Sequence, residues 1–262
     1  SFIEADVTDL WDWREKEREL FLKRENEKLT FTPLFVTAII KALRDYPMLN
    51  SSLENDRIII KKEINIGMAT ALPDGNLIVP VIKNADHLNL VGLTKAVNDL
   101  ANRARKNQLI PEEVQAGTYT FTNIGNFGSI MGTPIINQPQ VGILAIGIIR
   151  KMPSVIETPN GDFIGVRRKV ILSHSYDHRI INGATGGLFV KRVAEYLENW
   201  NNNGENLITD VLIESYDPVP PDTDLTLKPP TSCTFSCVPR GAMSTFLALA
   251  TLFLIASALP CS

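Results

Sequence analysis

Apolar positions fall into blocks whose spacing alternates between about 3.6 and about 2 residues, the signatures of helix and strand. Phe2, Ile3 and Val7, mixed with polar neighbours, predict a strand already under way at the first residue. Leu10, Trp13, Glu17, Leu20, Phe21 and Arg24 then fall on one side of a helix over 10–27, opposite a charged face, with Thr8 and Asp9 as capping residues. Thr32-Pro33 opens a second helix carrying 34–43; the proline sits in the first turn, where its missing N–H costs nothing, and Pro47 lies beyond the end. Short strands follow at 58–60 and 64–71. The turn Pro73-Asp74-Gly75-Asn76 sends the chain back as a strand over 77–82. An amphipathic helix over 93–106 has Leu93, Ala96, Val97, Leu100 and Ala101 on its apolar side. Strands at 118–123 and 169–174 bracket a continuous apolar run, 141–149, that predicts a strand buried on both faces. A last helix over 186–200 carries Leu188, Phe189, Val193, Tyr196 and Leu197 as its buried stripe. Helices interleaved with non-adjacent strands predict an α/β fold, a two-layer sandwich with a mixed sheet.

Composition narrows the partners. A chain of 262 residues, 44% hydrophobic, can build one substantial core. Its net charge of -3, with no basic stripe, argues against nucleic acid as a partner. The cysteines are Cys233, Cys237 and Cys261, so the body holds neither a disulfide nor a thiolate metal site. That suits a reducing compartment, the cytoplasm or the mitochondrial matrix. The first residues lack the basic and apolar regions of a signal peptide. Near 217 the character changes: Pro218, Pro220, Pro221, Pro229 and Pro230 predict a stiff linker over 217–242, followed by an apolar tail over 243–262. The uncharged run at 243–259 is at the short limit for spanning a bilayer, about 17–25 residues. It reads as a misplaced secretory or lipid-anchor signal, a tail anchor, or sequence from a shifted frame or adjoining gene; a membrane is a partner only if it belongs to the protein.

The densest chemistry lies in Ser173-His174-Ser175-Tyr176-Asp177-His178-Arg179-Ile180-Ile181-Asn182-Gly183. Histidines four apart on a helix can share a zinc ion. On a strand they stand about 13 Å apart, too far for one metal. His174 is therefore read as a packed or surface histidine, and His178 as one projecting from a strand end. The glycines of 183–187 lack the lysine and hydroxyl of a phosphate loop and instead let a helix start close to its neighbours.

Three stretches, in order along the chain, carry a family resemblance. Asp177-His178-Arg179-x-x-Asn182-Gly183-Ala184 resembles the D-H-R-x-x-D-G-A signature of dihydrolipoamide acyltransferases, the catalytic cores of 2-oxo acid dehydrogenase complexes. Gly117-Thr-Tyr-Thr-Phe-Thr122-Asn123-Ile124-Gly125, with Pro134-Ile-Ile-Asn137-Gln-Pro139-Gln140 after it, is similar to the family's G-T-F-T-x-S-N-x-G and A-I-I-N-P-P-Q. Asp74-Gly75-Asn76-Leu77-Ile78-Val79-Pro80-Val81-Ile82 resembles its D-G-L-I-V-P-V-I. The resemblance covers roughly 1–200 and implies a chloramphenicol acetyltransferase-like fold, with 1–216 as an N-terminally truncated catalytic core. It implies coenzyme A as substrate and a lipoyl group supplied in trans by lipoyl domains, with the dehydrogenase subunits of the complex as further partners. It also implies a homotrimer or larger core, with the site between subunits.

The implied roles are His178 as general base on the coenzyme A thiol and Thr122, where the family has serine, as donor to the oxyanion. Asn182 stands where the family has aspartate and lacks its charge and one acceptor. If that aspartate pairs with an arginine, the pair here becomes a neutral hydrogen bond weaker by about 1–3 kcal/mol, and activity is expected to fall. No metal is implied. Two other readings share these residues: a catalytically impaired structural core subunit, and a small-molecule acetyltransferase.

Overall fold

The structure, a computed structural model, describes residues 1–54 and 57–200. The linker at 217–242 and the tail at 243–262 lie outside the described residues. No helix among the described residues is long and apolar enough to cross a membrane.

The chain opens with β1 (Phe2–Asp6), α1 (Thr8–Glu25) and α2 (Phe31–Asp45). A separate antiparallel ribbon follows, β2 (Ser51–Glu54) with β3 (Arg57–Ile60). Next come β4 (Ile66–Ala71), β5 (Leu77–Ile78), β6 (Val81–Ile82), α3 (Leu90–Arg105) and β7 (Tyr119–Asn123). The chain then runs through β8 (Gly142–Ile146), β9 (Arg150–Ile156), β10 (Phe163–Tyr176) and α4 (Gly183–Glu198). The main sheet is mixed, in the order β1-β10-β8-β7-β4-β5, with β6 also on β4 and β9 also on β10. The β4–β7 and β7–β8 pairs are parallel and the others antiparallel. Over it lies a helical layer: α2 packs against α3 and α4, α4 on β1 and β10, and α3 on β4 and β6. This is the predicted two-layer α/β sandwich.

The core explains the elements. All five residues of β8, which lies between β7 and β10, are buried, so both faces of this strand are covered. The predicted strand 141–149 nevertheless ends at Ile146, because the chain leaves the ladder and the Ile148 N–H goes to the Ser129 carbonyl at 2.9 Å. Gly147 permits this, since a Cβ there would lie 1.9 Å from the Ile130 carbonyl oxygen. The predicted strand 77–82 is split in two around Pro80, which has no N–H to give the ladder. Its carbonyl still accepts from Met68 at 2.8 Å.

Other expectations need correction. Thr8 and Asp9 lie inside α1 and do not cap it; Asp6 Oδ1 accepts from the Thr8 N–H at 3.0 Å and its hydroxyl at 2.6 Å. The second helix starts at Phe31, so Thr32 is within its first turn. Leu20 and Leu188, assigned to buried stripes, are 59% and 50% exposed, because α1 and α4 bury narrower faces through Leu10 and Phe21, and through Phe189, Val193 and Leu197. The strand predicted at 169–174 is the inner half of a 14-residue strand whose outer half pairs only with β9. That ribbon exposes Val155, Ile164 and Val166 at 65%, 78% and 69%, so it has no buried face to mark it in the sequence.

Candidate active site

β10 delivers its last residues to the start of α4. Along it Val170, Leu172 and His174 are buried, and alternation sets these, with Tyr176, on the face under the helices. His174 Nδ1 is 3.1 Å from the Gly186 carbonyl oxygen, and its ring centroid is 4.9 Å from that of Phe189. A carbonyl can only accept, so Nδ1 carries the proton and Nε2, buried without a partner, does not. Burial pushes this imidazole down to about 4, so it is neutral. His174 is thus the packed histidine, and the nitrogen it turns to α4 is already used.

His178 lies in the turn just past β10 and is exposed, with its ring centroid 6.0 Å from that of Tyr176. The turn is pinned at both ends. The Asp177 N–H donates to the Val141 carbonyl at 2.8 Å, and its own carbonyl accepts from Ile180 and Ile181 at 3.1 and 2.9 Å. Arg179 grips both Asp177 carboxylate oxygens, with Nη2 to Oδ2 at 2.6 Å, and holds that carboxyl below the usual carboxylate range. Ile181 is buried to 1% exposure and plugs the turn into the core. Asn182 Oδ1 accepts from the Thr185 N–H at 2.8 Å and caps α4. Its acceptor therefore serves a helix end, which differs from the arginine pairing considered from the sequence.

Thr122 lies elsewhere. Tyr119 of β7 faces α4, with its ring 5.5 Å from Phe189, so by alternation Thr122 points to the opposite face. In register Thr122 is level with Ala145, whereas Tyr176 is level with Gly142, and β8 separates β7 from β10. At about 3.3 Å per residue and 4.8 Å per strand, the Tyr176 and Thr122 backbones are roughly 14 Å apart, and His178 is beyond Tyr176. One chain does not bring His178 and Thr122 together; it does bring His178 and Asn182 to one turn. The segment after Thr122 exposes Phe127, Met131 and Ile135 at 73%, 55% and 90%.

A cleft of about 600 Å³ opens beside β7 and the segment leading into β8, lined by Lys61, Lys62, Asn65, Thr118, Asn137 and Gln140 among others. Lys62 offers a cation there, whereas Lys61 Nζ is paired with Glu54 Oε1 at 3.2 Å and Glu63 also lines the cleft. No group of three or more histidine, cysteine, aspartate or glutamate residues among the described residues is placed to hold a metal ion.

The catalytic-domain model of the 2-oxoacid dehydrogenases acyltransferase family matches residues 1–204. The chain belongs to this family. It is 42% identical over 199 residues to the lipoamide acyltransferase component of the branched-chain alpha-keto acid dehydrogenase complex of Bacillus subtilis, covering 76% of this chain and 46% of that protein. The cubic core of a pyruvate dehydrogenase multienzyme complex superposes with a TM-score of 0.71 at 35% identity, covering 77% of this chain and 82% of that one. Dihydrolipoamide acetyltransferase of Azotobacter vinelandii, studied for the roles of a serine, a histidine and an asparagine in its catalytic mechanism, gives 0.71 at 34% identity, with the same coverages of 77% and 82%. The chain spans about half the length of the curated relatives it matches. The glycines of 183–187, read from the sequence as letting a helix start close to its neighbours, do so at Gly186, where a Cβ would lie 2.4 Å from the Tyr176 ring; what sequence reasoning passed over is Tyr176 as the neighbour. The glycine pair inside a helix was the available signal, since each costs about 1 kcal/mol there without a packing reason.

Proposed function

We propose that the chain moves an acyl group between a dihydrolipoyl group and coenzyme A within a 2-oxo acid dehydrogenase complex. The observation that carries this reading is the turn from Asp177 to Asn182. It presents an exposed imidazole on a rigid frame made of an ion pair, a buried plug and a helix cap. His178 takes the proton of the coenzyme A thiol, whose pKa of about 8.5 leaves it mostly protonated at neutral pH. The thiolate attacks the thioester carbonyl of acyl-lipoamide, and the Thr122 hydroxyl donates to the oxyanion. Collapse expels the dihydrolipoyl thiolate, which takes the proton back from His178. Lys62, beside the cleft, suits a phosphate of coenzyme A.

Because Thr122 points away from the helical layer and lies roughly 14 Å from the strand end that leads to His178, the site is completed between two copies, in a homotrimer or larger core. The exposed Phe127, Met131 and Ile135, in the segment that follows Thr122, support an interface there. So does the related cubic core. The lipoyl group comes in trans on lipoyl domains, with the dehydrogenase subunits as the other partners, in the cytoplasm or the mitochondrial matrix. The Azotobacter protein's asparagine stands four positions after its histidine, as Asn182 does after His178, which supports an asparagine as compatible with turnover. That weakens the case for an impaired structural subunit. The relatives differ in the acyl group their names carry, so the reading stops at the acyl class.

The test is acyl transfer from acyl-coenzyme A to free dihydrolipoamide, with chloramphenicol as an alternative acceptor. Transfer to dihydrolipoamide that His178→Ala abolishes without unfolding the chain supports the reading. Transfer only to chloramphenicol, or turnover indifferent to His178→Ala, rejects it.

A further inference from the structure

His178 carries the proton in the proposed reaction, yet it hangs in an exposed turn, and the contacts that pin that turn are made by other residues. What faces its ring is Tyr176, two residues back on β10. Tyr176 is itself partly buried and packed on two sides. On one side is the first turn of α4, where a Cβ on Gly186 would lie 2.4, 2.5 and 2.8 Å from three atoms of the Tyr176 ring. Any other residue at 186 would displace the tyrosine. On the other side is His174, with its ring centroid 5.1 Å from that of Tyr176. His174 is fixed in turn by its bond to the Gly186 carbonyl and its packing on Phe189. Phe189, His174, Tyr176 and His178 therefore form a ladder of four rings running from the core to the exposed imidazole.

We infer that Tyr176 is a positioning residue for His178: clamped between the Gly186 backbone and His174, its ring sets the orientation of the His178 imidazole. This rests on His178 being the base of the reaction. The ring, not the hydroxyl, performs the task. Removing it leaves His178 more rotamers and a less frequent productive pose, which lowers kcat more than it raises KM.

The experiment pairs kinetics with histidine ring spectra. The chain has three histidines, so ring-labelled protein gives three imidazole signal sets, and His178→Ala assigns one of them. Tyr176→Phe should keep kcat within about 2-fold and leave the His178 signals in place, whereas Tyr176→Leu should lower kcat by about 10-fold or more, hold KM for coenzyme A within about 2-fold, and move those signals. If Tyr176→Leu does not fold, Tyr176→Met, which adapts to irregular packing, takes its place. Tyr176→Leu matching Tyr176→Phe in kcat would overturn the inference, as would a loss of kcat with the His178 signals unmoved. Full turnover by His178→Ala would remove the proposed role of the base instead, and the ring signals would still report whether Tyr176 orients that histidine.

Discussion

At one end of the sheet His178 sits in a turn held by a doubly bonded ion pair, a buried isoleucine and a capped helix, whereas Thr122 rides on a strand whose following segment exposes its apolar side chains. The first region is finished within the chain. The second is not: Phe127, Met131 and Ile135 have no cover, and the hydroxyl points away from the helices that border His178. The contrast teaches that the imidazole proposed as the base is preorganised by the fold, while the hydroxyl proposed as the oxyanion donor depends on what packs against its face. A base must be held within about half an ångström, and the pinned strand-end turn, with the Tyr176 ring against the imidazole, supplies that. A donor on a strand is already rigid and needs only to be brought to the other half.

The largest effect should come from the finished end. His178→Ala is expected to lower kcat by about 10²–10⁴-fold, the range for loss of a positioned general base, in the acyl-coenzyme A to dihydrolipoamide assay. Thr122→Val keeps the shape and removes the donor, and should cost about 10²–10³-fold in kcat, while Thr122→Ser retains most turnover. If both Thr122 variants were equally active, the donor would be elsewhere and the comparison would fail at its open end.

Acid should act on the finished end through His174. Its folded pKa, about 4, is below the ordinary 6.5, so between those values the unfolded chain binds a proton that the folded chain does not. Stability is therefore full above about pH 6.5 and falls as pH drops toward 4, by an amount on the order of 3 kcal/mol from this group. Denaturant titrations at pH 7.5 and 5 check it: His174→Gln should be less sensitive to that change than the parent chain. The smallest effect is the cap. Asn182→Ala should cost about 1 kcal/mol of stability in urea melts, and Asn182→Asp should keep the capping oxygen and the stability.

Much of this arrangement is legible in the sequence where one face is buried. The run at 141–149 marks a central strand because β8 is covered on both sides, and Leu93, Val97 and Leu100 mark α3 because one stripe meets the sheet. The ordered motifs point to His178, Thr122 and Asn182, and the fold places His178 and Asn182 in one turn. The ribbon of β9 and outer β10 is hidden, since Val155, Ile164 and Val166 project into solvent and Pro153 interrupts the strand signal. The role of Tyr176 is hidden for another reason. It arises from contact with Gly186, ten residues away, and is visible only once α4 folds back on β10.

Mixing two inactive variants tests most directly whether acyl transfer uses His178 and Thr122 from different copies. His178→Ala and Thr122→Val chains, unfolded together and reassembled at equal amounts, should recover about one quarter of the parent turnover, because a site joining two randomly chosen chains draws an intact histidine and an intact threonine at that frequency. Recovery no greater than either variant alone, from chains shown to have co-assembled, would contradict a site built across the interface.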